Sequence, residues 1–356
     1  MPHSINGDVK IAVLGAAGGI GQSLSLLLKT QLTRELPNHR HAQLALYDVN
    51  ADAVRGVAAD LSHIDTGVTV TGYEGDRIGE ALEGTDIVLI PAGVPRKPGM
   101  TREDLLVVNA KIVKSIGSSI AQHCDLNKVF ILLISNPINS LVPVLVKELE
   151  SKSQGTQVER RVLGLTKLDS VRASAFLHEV TIKHGLKPKS NTLDDVPVVG
   201  GHSGETIVPL FSQAPNGNRL SQDALEALVQ RVQFGGDEVV RAKNGAGSAT
   251  LCMAHAAYTV AASFIPLITG QKRSISGTFY VALKDAQGQP INSSAKRLLG
   301  SINDLPYFAV PLEITSQGVD ELDTSVLERM TKYERERLLA PCLGKLEGGI
   351  RNGLSL

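Results

Sequence analysis

The sequence predicts an α/β protein: a doubly wound parallel sheet in residues 1–165, followed by an α+β unit in residues 166–356. Three observations predict it. Apolar, β-branched runs at 9–14, 42–48, 86–90 and 129–134 alternate with segments of helical periodicity. Such near-continuously apolar strands, joined by helices, belong to a parallel sheet covered on both faces. The first run ends in closely spaced glycines, and the texture changes after about Thr166, where longer helical patterns replace the strict alternation. No flexible linker composition marks that boundary, so the two units are expected to pack together.

In order along the chain, Val9-Lys10-Ile11-Ala12-Val13-Leu14 leads into Gly15-Ala16-Ala17-Gly18-Gly19-Ile20-Gly21, and a helical pattern begins at Gln22. Gly15, Gly18 and Gly21 lie three apart. In a strand–turn–helix, missing side chains let the backbone approach a pyrophosphate, and the helix start offers free N–H donors and a positive dipole end. Alone, the same spacing also describes a tight packing turn. The second strand, 42–48, ends in Asp48, 27 positions after Gly21. The usual interval is about 20; the polar stretch 37–41 takes up the excess as a loop. Asp48 is placed to accept hydrogen bonds from an adenosine ribose and to repel a 2′-phosphate. A carboxylate near a helix start reads the same way in isolation.

A helix over 53–61, a short strand at 68–70 and strands at 86–90 and 129–134 follow. The last two end at Pro91-Ala92-Gly93 and at Ser135-Asn136-Pro137-Ile138-Asn139. Ligands of doubly wound sheets sit beyond the carboxyl ends of the strands, so Gly15, Asp48, Gly93 and Asn136 are expected around one cleft. The Asn136–Pro137 bond, in a turn that must aim Asn136 into that cleft, is a candidate for the cis form. The second unit reads as a helix over 168–184, then a strand at 196–199 entering Gly200-Gly201-His202-Ser203-Gly204. A helical pattern over 221–268 is interrupted at 244–247. A strand at 278–283, a polar surface excursion over 285–303 and a charged, solvated helix over 324–347 complete the chain.

Composition narrows the function. Lys plus Arg equals Asp plus Glu at 36 each, which argues against nucleic acid as a partner. No apolar run is expected to reach the roughly 18 residues of a membrane span, so no membrane partner is expected. Cys124, Cys252 and Cys342 are far apart; they suit a reducing compartment and offer no metal-ligand spacing. The N-terminal residues lack the features of a signal or transit peptide, so a cytoplasmic location is expected. The alternative, a peroxisome or glycosome, rests on Leu356 alone, the one residue that Leu354-Ser355-Leu356 shares with a Ser-Lys-Leu signal.

The charged residues carry the chemistry. Arg96 and Arg102 flank Pro98-Gly99 in a loop after a strand end, able to swing over the cleft or to form a solvated basic turn. Asp169 and Arg172 stand at i, i+3 on a helix, a spacing that also suits a surface ion pair. His202 sits among small residues that leave its ring accessible.

Together these stretches resemble the malate dehydrogenases of the lactate and malate dehydrogenase superfamily, in its bacterial and mitochondrial-like branch. The matching segments are 15–22, Tyr47-Asp48, Asp60-Leu61-Ser62-His63, 93–102, 135–139, Leu168-Asp169-Ser170-Val171-Arg172 and 200–204. They come in family order and span nearly the whole chain. The resemblance implies an N-terminal Rossmann domain binding NAD and a C-terminal domain holding a small dicarboxylate, malate or oxaloacetate. It implies that His202 is the general acid/base, that Asp169 orients its imidazole, and that Arg172 clamps the carboxylate beside the reacting carbon. Arg102 polarises the carbonyl and Arg96 takes the distal carboxylate. Asn136 and Asn109 lie on the substrate and cofactor side, and Gly15, Gly18, Ile20, Gly21, Asp48 and Met253 contact the cofactor. No metal is implied. A homodimer is, with Leu225, Leu228 and Val232 available for a helix interface that internal packing explains equally well.

Two features depart from the family pattern. Glu205 stands where an apolar residue is usual, and the 285–303 excursion is about a dozen residues long beyond the norm. Two rival readings remain: a dehydrogenase of another 2-hydroxy acid, which would leave Arg96 unpaired, and a non-catalytic NAD-binding protein, which would not need His202.

Overall fold

The run that opens the sheet is buried because both of its faces are apolar. In the computed structural model, which describes residues 8–37, 40–94, 102–153, 155–186 and 192–356, it is strand β1 (Val9–Leu14), followed after the glycine turn by helix α1 (Gly19–Gln31). The alternation continues through β2 (Ala42–Asp48), α2 (Ala51–Ser62), β3 (Val68–Glu74), α3 (Ile78–Leu82), β4 (Ile87–Ile90), α4 (Arg102–His123), β5 (Phe130–Leu133), α5 (Ile138–Glu150) and β6 (Val162–Leu165). These six strands are parallel, in the order β3-β2-β1-β4-β5-β6. The order reverses between β1 and β4, the position where a doubly wound sheet opens a crevice at its carboxyl edge. This is the Rossmann arrangement read from the sequence.

The sheet does not stop at residue 165. After α6 (Lys167–Lys183) come β7 (Val198–Gly200), β8 (Ile207–Pro209), α7 (Gln222–Gln233), α8 (Gly235–Ala242), α9 (Leu251–Ile268) and β9 (Ser274–Ala282). Then follow α10 (Ser293–Ser301), β10 (Tyr307–Thr315), β11 (Gly318–Leu322), α11 (Ser325–Glu328) and α12 (Ala340–Leu354). Strand β9 pairs antiparallel with β6 on one side and with β10 on the other. Through β10 the antiparallel strands β7, β8 and β11 join one eleven-stranded sheet. The second unit is therefore bonded to the first through the backbone, which fixes the relative placement of residues on either side.

Several expectations change. Strand β3 continues to Glu74 rather than ending at 70. Strands β10 and β11 were not expected. The first half of β10 is buried throughout and its second half alternates, so no single period runs through it, and Pro311 argues locally against a strand. The proline is tolerated because that edge pairs with β7 only at Ala309 and with β11 only from Leu312. The 285–303 stretch is not merely a surface excursion: it contains α10, whose Ala295, Leu298 and Leu299 face the core while Lys296 and Arg297 face out. The 324–347 segment is not one solvated helix. It divides into α11, a π-helical stretch Glu334–Leu339 and α12, and Leu338, Leu339, Cys342, Leu343, Leu346 and Ile350 are buried.

Contrary to the expectation that no apolar run is long enough, helix α9 is long and apolar enough by length and composition to cross a membrane, although His255 and Ser263 interrupt it. It packs against α1, α6 and β9, with most of its side chains buried. Leu228 and Val232 are buried within this chain on the α7 face against α6, and Leu225 is half-buried there. Internal packing thus accounts for the positions considered for a dimer interface.

Candidate active site

Three glycines shape the crevice where the strand order reverses. Gly15 and Ala16 both donate their N–H to the Tyr47 carbonyl, at 2.8 and 3.0 Å, which pins the turn to the end of β2. Gly15 has a φ of +99°, and a Cβ there would lie 2.6 Å from the Cα of Ala92 at the end of β4. A Cβ on Gly21 would lie 2.2 Å from the Gly15 carbonyl oxygen. Gly18 is the N-cap of α1 and supplies no side-chain cap, so the helix start keeps N–H donors for a ligand. Asp48 Oδ2 accepts the Ala17 N–H at 2.9 Å, and Oδ1 accepts that of Asn50 at 3.1 Å. A turn closed to side chains at Gly15 and Gly21, an uncapped helix start and a carboxylate at the end of β2 fit a dinucleotide such as NAD.

Beyond β5, the Asn136–Pro137 bond is cis, as the motif suggested. Asn136 and Pro137 line a cleft of about 300 Å³ together with Ile20, Leu168, Asp169, Arg172, His202 and Met253. Six of the expected site residues thus meet there, while Gly15, Gly18, Gly21 and Asp48 are not among the residues lining it. Asn109 is held by backbone groups beside the cleft. It is buried on α4, its Oδ1 accepts the Val94 N–H at 2.8 Å and its Nδ2 donates to the Asn136 carbonyl at 2.8 Å. Its amide braces the ends of β4 and β5 against each other and reaches the cleft through Asn136. Arg96 lies outside the described residues. Arg102 opens α4, and its side chain also lies outside them.

The charged centre is assembled from two segments. Asp169, in the first turn of α6, is fully buried, and its Oδ2 lies 2.5 Å from His202 Nδ1. The other oxygen, Oδ1, is buried without a hydrogen-bond partner among the described residues. Asp169 is therefore no surface partner of Arg172: it leaves the outer face of the helix and turns its charge toward the imidazole. Arg172 lies one turn further on, against Gly235 at the start of α8. A Cβ on Gly235 would come 3.1 Å from Arg172 Cδ and 3.3 Å from Nε, so the missing side chain leaves room for the guanidinium stem. Glu205 forms an ion pair with Lys345 on α12 and does not line the cleft.

Gln233, Phe234, Asp237 and Ser248 also line the cleft and were not anticipated. They come from the α7–α8 junction and from the loop before α9. The Gly235-Gly236 pair was the available signal, because it breaks the helical pattern nine residues before the interruption at 244–247. Among the described residues, no group of three or more His, Cys, Asp or Glu side chains is arranged to hold a metal ion.

Comparison with known proteins agrees with this architecture. The family model for the lactate/malate dehydrogenase NAD binding domain matches residues 9–164. That for the lactate/malate dehydrogenase alpha/beta C-terminal domain matches residues 166–355. The chain is 53% identical to the cytoplasmic malate dehydrogenase of Saccharomyces cerevisiae, covering 99% of this chain and 97% of that protein. It is 41% identical to the mitochondrial malate dehydrogenase of the same yeast, over 97% of this chain and 93% of the other. Among solved structures, the malate dehydrogenase of Cryptosporidium parvum superposes with a TM-score of 0.73 at 25% identity, covering 98% of this chain and all of that one. The crevice formed by Gly15, Gly18 and Gly21 is thus part of an NAD-binding domain, and the chain belongs to the lactate/malate dehydrogenase family.

Proposed function

We propose that this protein is an NAD-dependent malate dehydrogenase that interconverts (S)-malate and oxaloacetate, with the division between its two domains near residue 165. The observation that carries the reading is the buried Asp169 carboxylate bonded to His202 Nδ1, in a cleft that Arg172 and Ile20, beside the glycine turn, also line. Bound NAD supplies the acceptor for the hydride that leaves the hydroxyl-bearing carbon. His202, with Nδ1 held by Asp169, takes the hydroxyl proton on its other ring nitrogen and returns it in the reverse direction. Asp169 holds the tautomer and stabilises the imidazolium. General acid/base catalysis of this kind contributes roughly 10²–10⁴-fold.

Arg172 holds the carboxylate next to the reacting carbon, where a planar fork matches two oxygens. We assign polarisation of the carbonyl to Arg102 and the distal carboxylate to Arg96. Asn136 hydrogen-bonds on the substrate and cofactor side, and Ile20 and Met253 supply apolar walls. Closure of the segment that carries Arg96 and leads into Arg102 at the start of α4 would exclude water and strengthen these interactions.

The yeast relative at 53% identity is named cytoplasmic, and we assign the same compartment here. We also propose a homodimer. Helices α1 and α9 pack together and leave Leu26 46% and Leu251 73% exposed, apolar surface that a second copy would cover; light scattering at micromolar concentration reads the mass directly. The function itself is tested by following NADH oxidation with oxaloacetate and with pyruvate. Rapid turnover of oxaloacetate and slow turnover of pyruvate are expected. Preference for pyruvate, or turnover of neither, overturns the reading.

A further inference from the structure

The loop that carries His202 is tied to the cofactor side of the cleft through one side chain. Asn139, in the first turn of α5, is buried. Its Oδ1 accepts the backbone N–H of His202 at 2.8 Å, and its Nδ2 donates to Thr206 Oγ1 at 3.1 Å. Thr206 Oγ1 in turn accepts the Ser203 N–H at 3.0 Å and donates to the Ser203 carbonyl at 2.9 Å, while Gly201 N–H donates to the Thr206 carbonyl at 2.8 Å. Residues 201–206 thus form a closed ring, and the Asn139 amide grips it at both ends. On its own side, the Asn139 carbonyl accepts the hydroxyl of the fully buried Tyr280 at 3.2 Å.

The surroundings are cut to fit this amide. A Cβ on Gly201 would lie 2.7 Å from Asn139 Oδ1 and 2.8 Å from Nδ2, and a Cβ on Gly349 of α12 would lie 3.3 Å from Asn139 Cβ. Asn139 is also three residues from Asn136, whose carbonyl is held by Asn109. The same turn therefore presents Asn136 to the cleft and fixes the backbone of His202.

We propose that Asn139 is a positioning residue: it holds the His202 backbone at a set distance from the Asn136 turn, so that the imidazole meets the substrate where the cofactor side of the cleft places it. The catalytic consequence rests on the malate dehydrogenase reading above; the backbone tie does not. Asp169 orients the imidazole ring, and Asn139 locates the chain from which the ring hangs. Both are needed, because a displacement of about 1 Å at a reacting group can cost roughly 10²-fold in rate.

The test compares Asn139→Ala and Asn139→Asp with the wild type. The aspartate keeps an oxygen facing the His202 N–H; the alanine keeps none. Asn139→Ala is expected to lower kcat for oxaloacetate roughly 10²-fold, to leave the NADH dissociation constant within about threefold, and to speed amide hydrogen exchange in the 201–206 peptide of the cofactor-free protein. Asn139→Asp is expected to restore both exchange protection and most of kcat. A merely structural residue would lower the melting temperature without separating kcat from NADH binding. A folded Asn139→Ala variant with kcat within about threefold of the wild type overturns the proposal, as does equal loss in both variants. If the alanine variant does not fold, Asn139→Asp decides: protection and kcat must move together, and lost protection with unchanged kcat overturns it. A wild-type protein inactive on oxaloacetate would instead refute the functional reading. The exchange comparison would still test the tie.

Discussion

Asp48 closes the glycine turn: its Oδ2 accepts the Ala17 N–H at 2.9 Å, joining the end of β2 to the loop after β1. The carboxylate therefore serves two purposes. It braces the turn, and it places a negative charge where the adenosine ribose of the cofactor is expected. NADH should be preferred over NADPH, because a 2′-phosphate would meet that charge. Asp48→Ser should narrow the preference and also weaken NADH, since the brace is lost with the charge. Comparable kcat/KM for the two cofactors in the wild type would count against this role.

The buried pair of Asp169 and His202 predicts a specific pattern of loss. His202→Asn should lower turnover by roughly 10²–10⁴-fold while NADH still binds, because the glycine turn is separate from the dyad. Titration of NADH fluorescence on the variant checks the second half. Retention of more than about a tenth of the wild-type rate would require another base.

Arg96 is expected to decide the substrate. Oxaloacetate carries two carboxylates, and Arg172 can hold only the one beside the carbonyl. With pyruvate a closed loop would bury an unpaired guanidinium, at a cost of several kcal/mol. Arg96→Gln should lower oxaloacetate reduction by orders of magnitude and raise relative activity on pyruvate. Arg102→Gln should depress both substrates. An unchanged oxaloacetate-to-pyruvate ratio in Arg96→Gln would make Arg96 a surface charge.

Away from the cleft, burial at the end of α5, with Glu159 and Asp285 nearby, pushes the Glu150 carboxyl up to about 7. The folded protein thus binds this proton more tightly than the unfolded chain does. The associated stability is fully present below the ordinary carboxylate value near 4.5 and is lost as pH rises through about 7. Glu150→Gln should therefore raise the melting temperature at pH 8 and leave it nearly unchanged at pH 4. The gain is on the order of 1 kcal/mol, since the group is only half-buried and solvent screens it. Equal melting temperatures of variant and wild type at pH 8 would show that Glu150 carries no buried charge there.

The parallel half of the fold was legible because its signals are local. Apolar runs set the strands, 3.6-residue periodicity set the helices, and Gly15 and Gly21 stand where a Cβ would meet Ala92 or the turn's own backbone. The site residues could be named because they lie in short motifs. What a motif does not contain is where its side chain turns. At i, i+3 on one helix, Asp169 and Arg172 read as a pair; the sheet instead brings His202, 33 residues away, onto Asp169. That Asn109 turns its amide onto the backbone at Val94 and Asn136 could not be read either, and Glu205 left its direction open until Lys345 on α12 came within reach.

Strands β10 and β11 were invisible for a related reason. Strand β10 takes its partners β9 and β7 from earlier in the chain, β11 pairs with β10 itself, and Pro311 is acceptable only at a gap in pairing that the assembled sheet creates. Residue type and spacing determine which backbone conformations and which chemistry are available to this chain. Which groups meet is decided by long-range strand pairing and by desolvation, and those energies exist only once the sheet has closed around α5, α6 and α12.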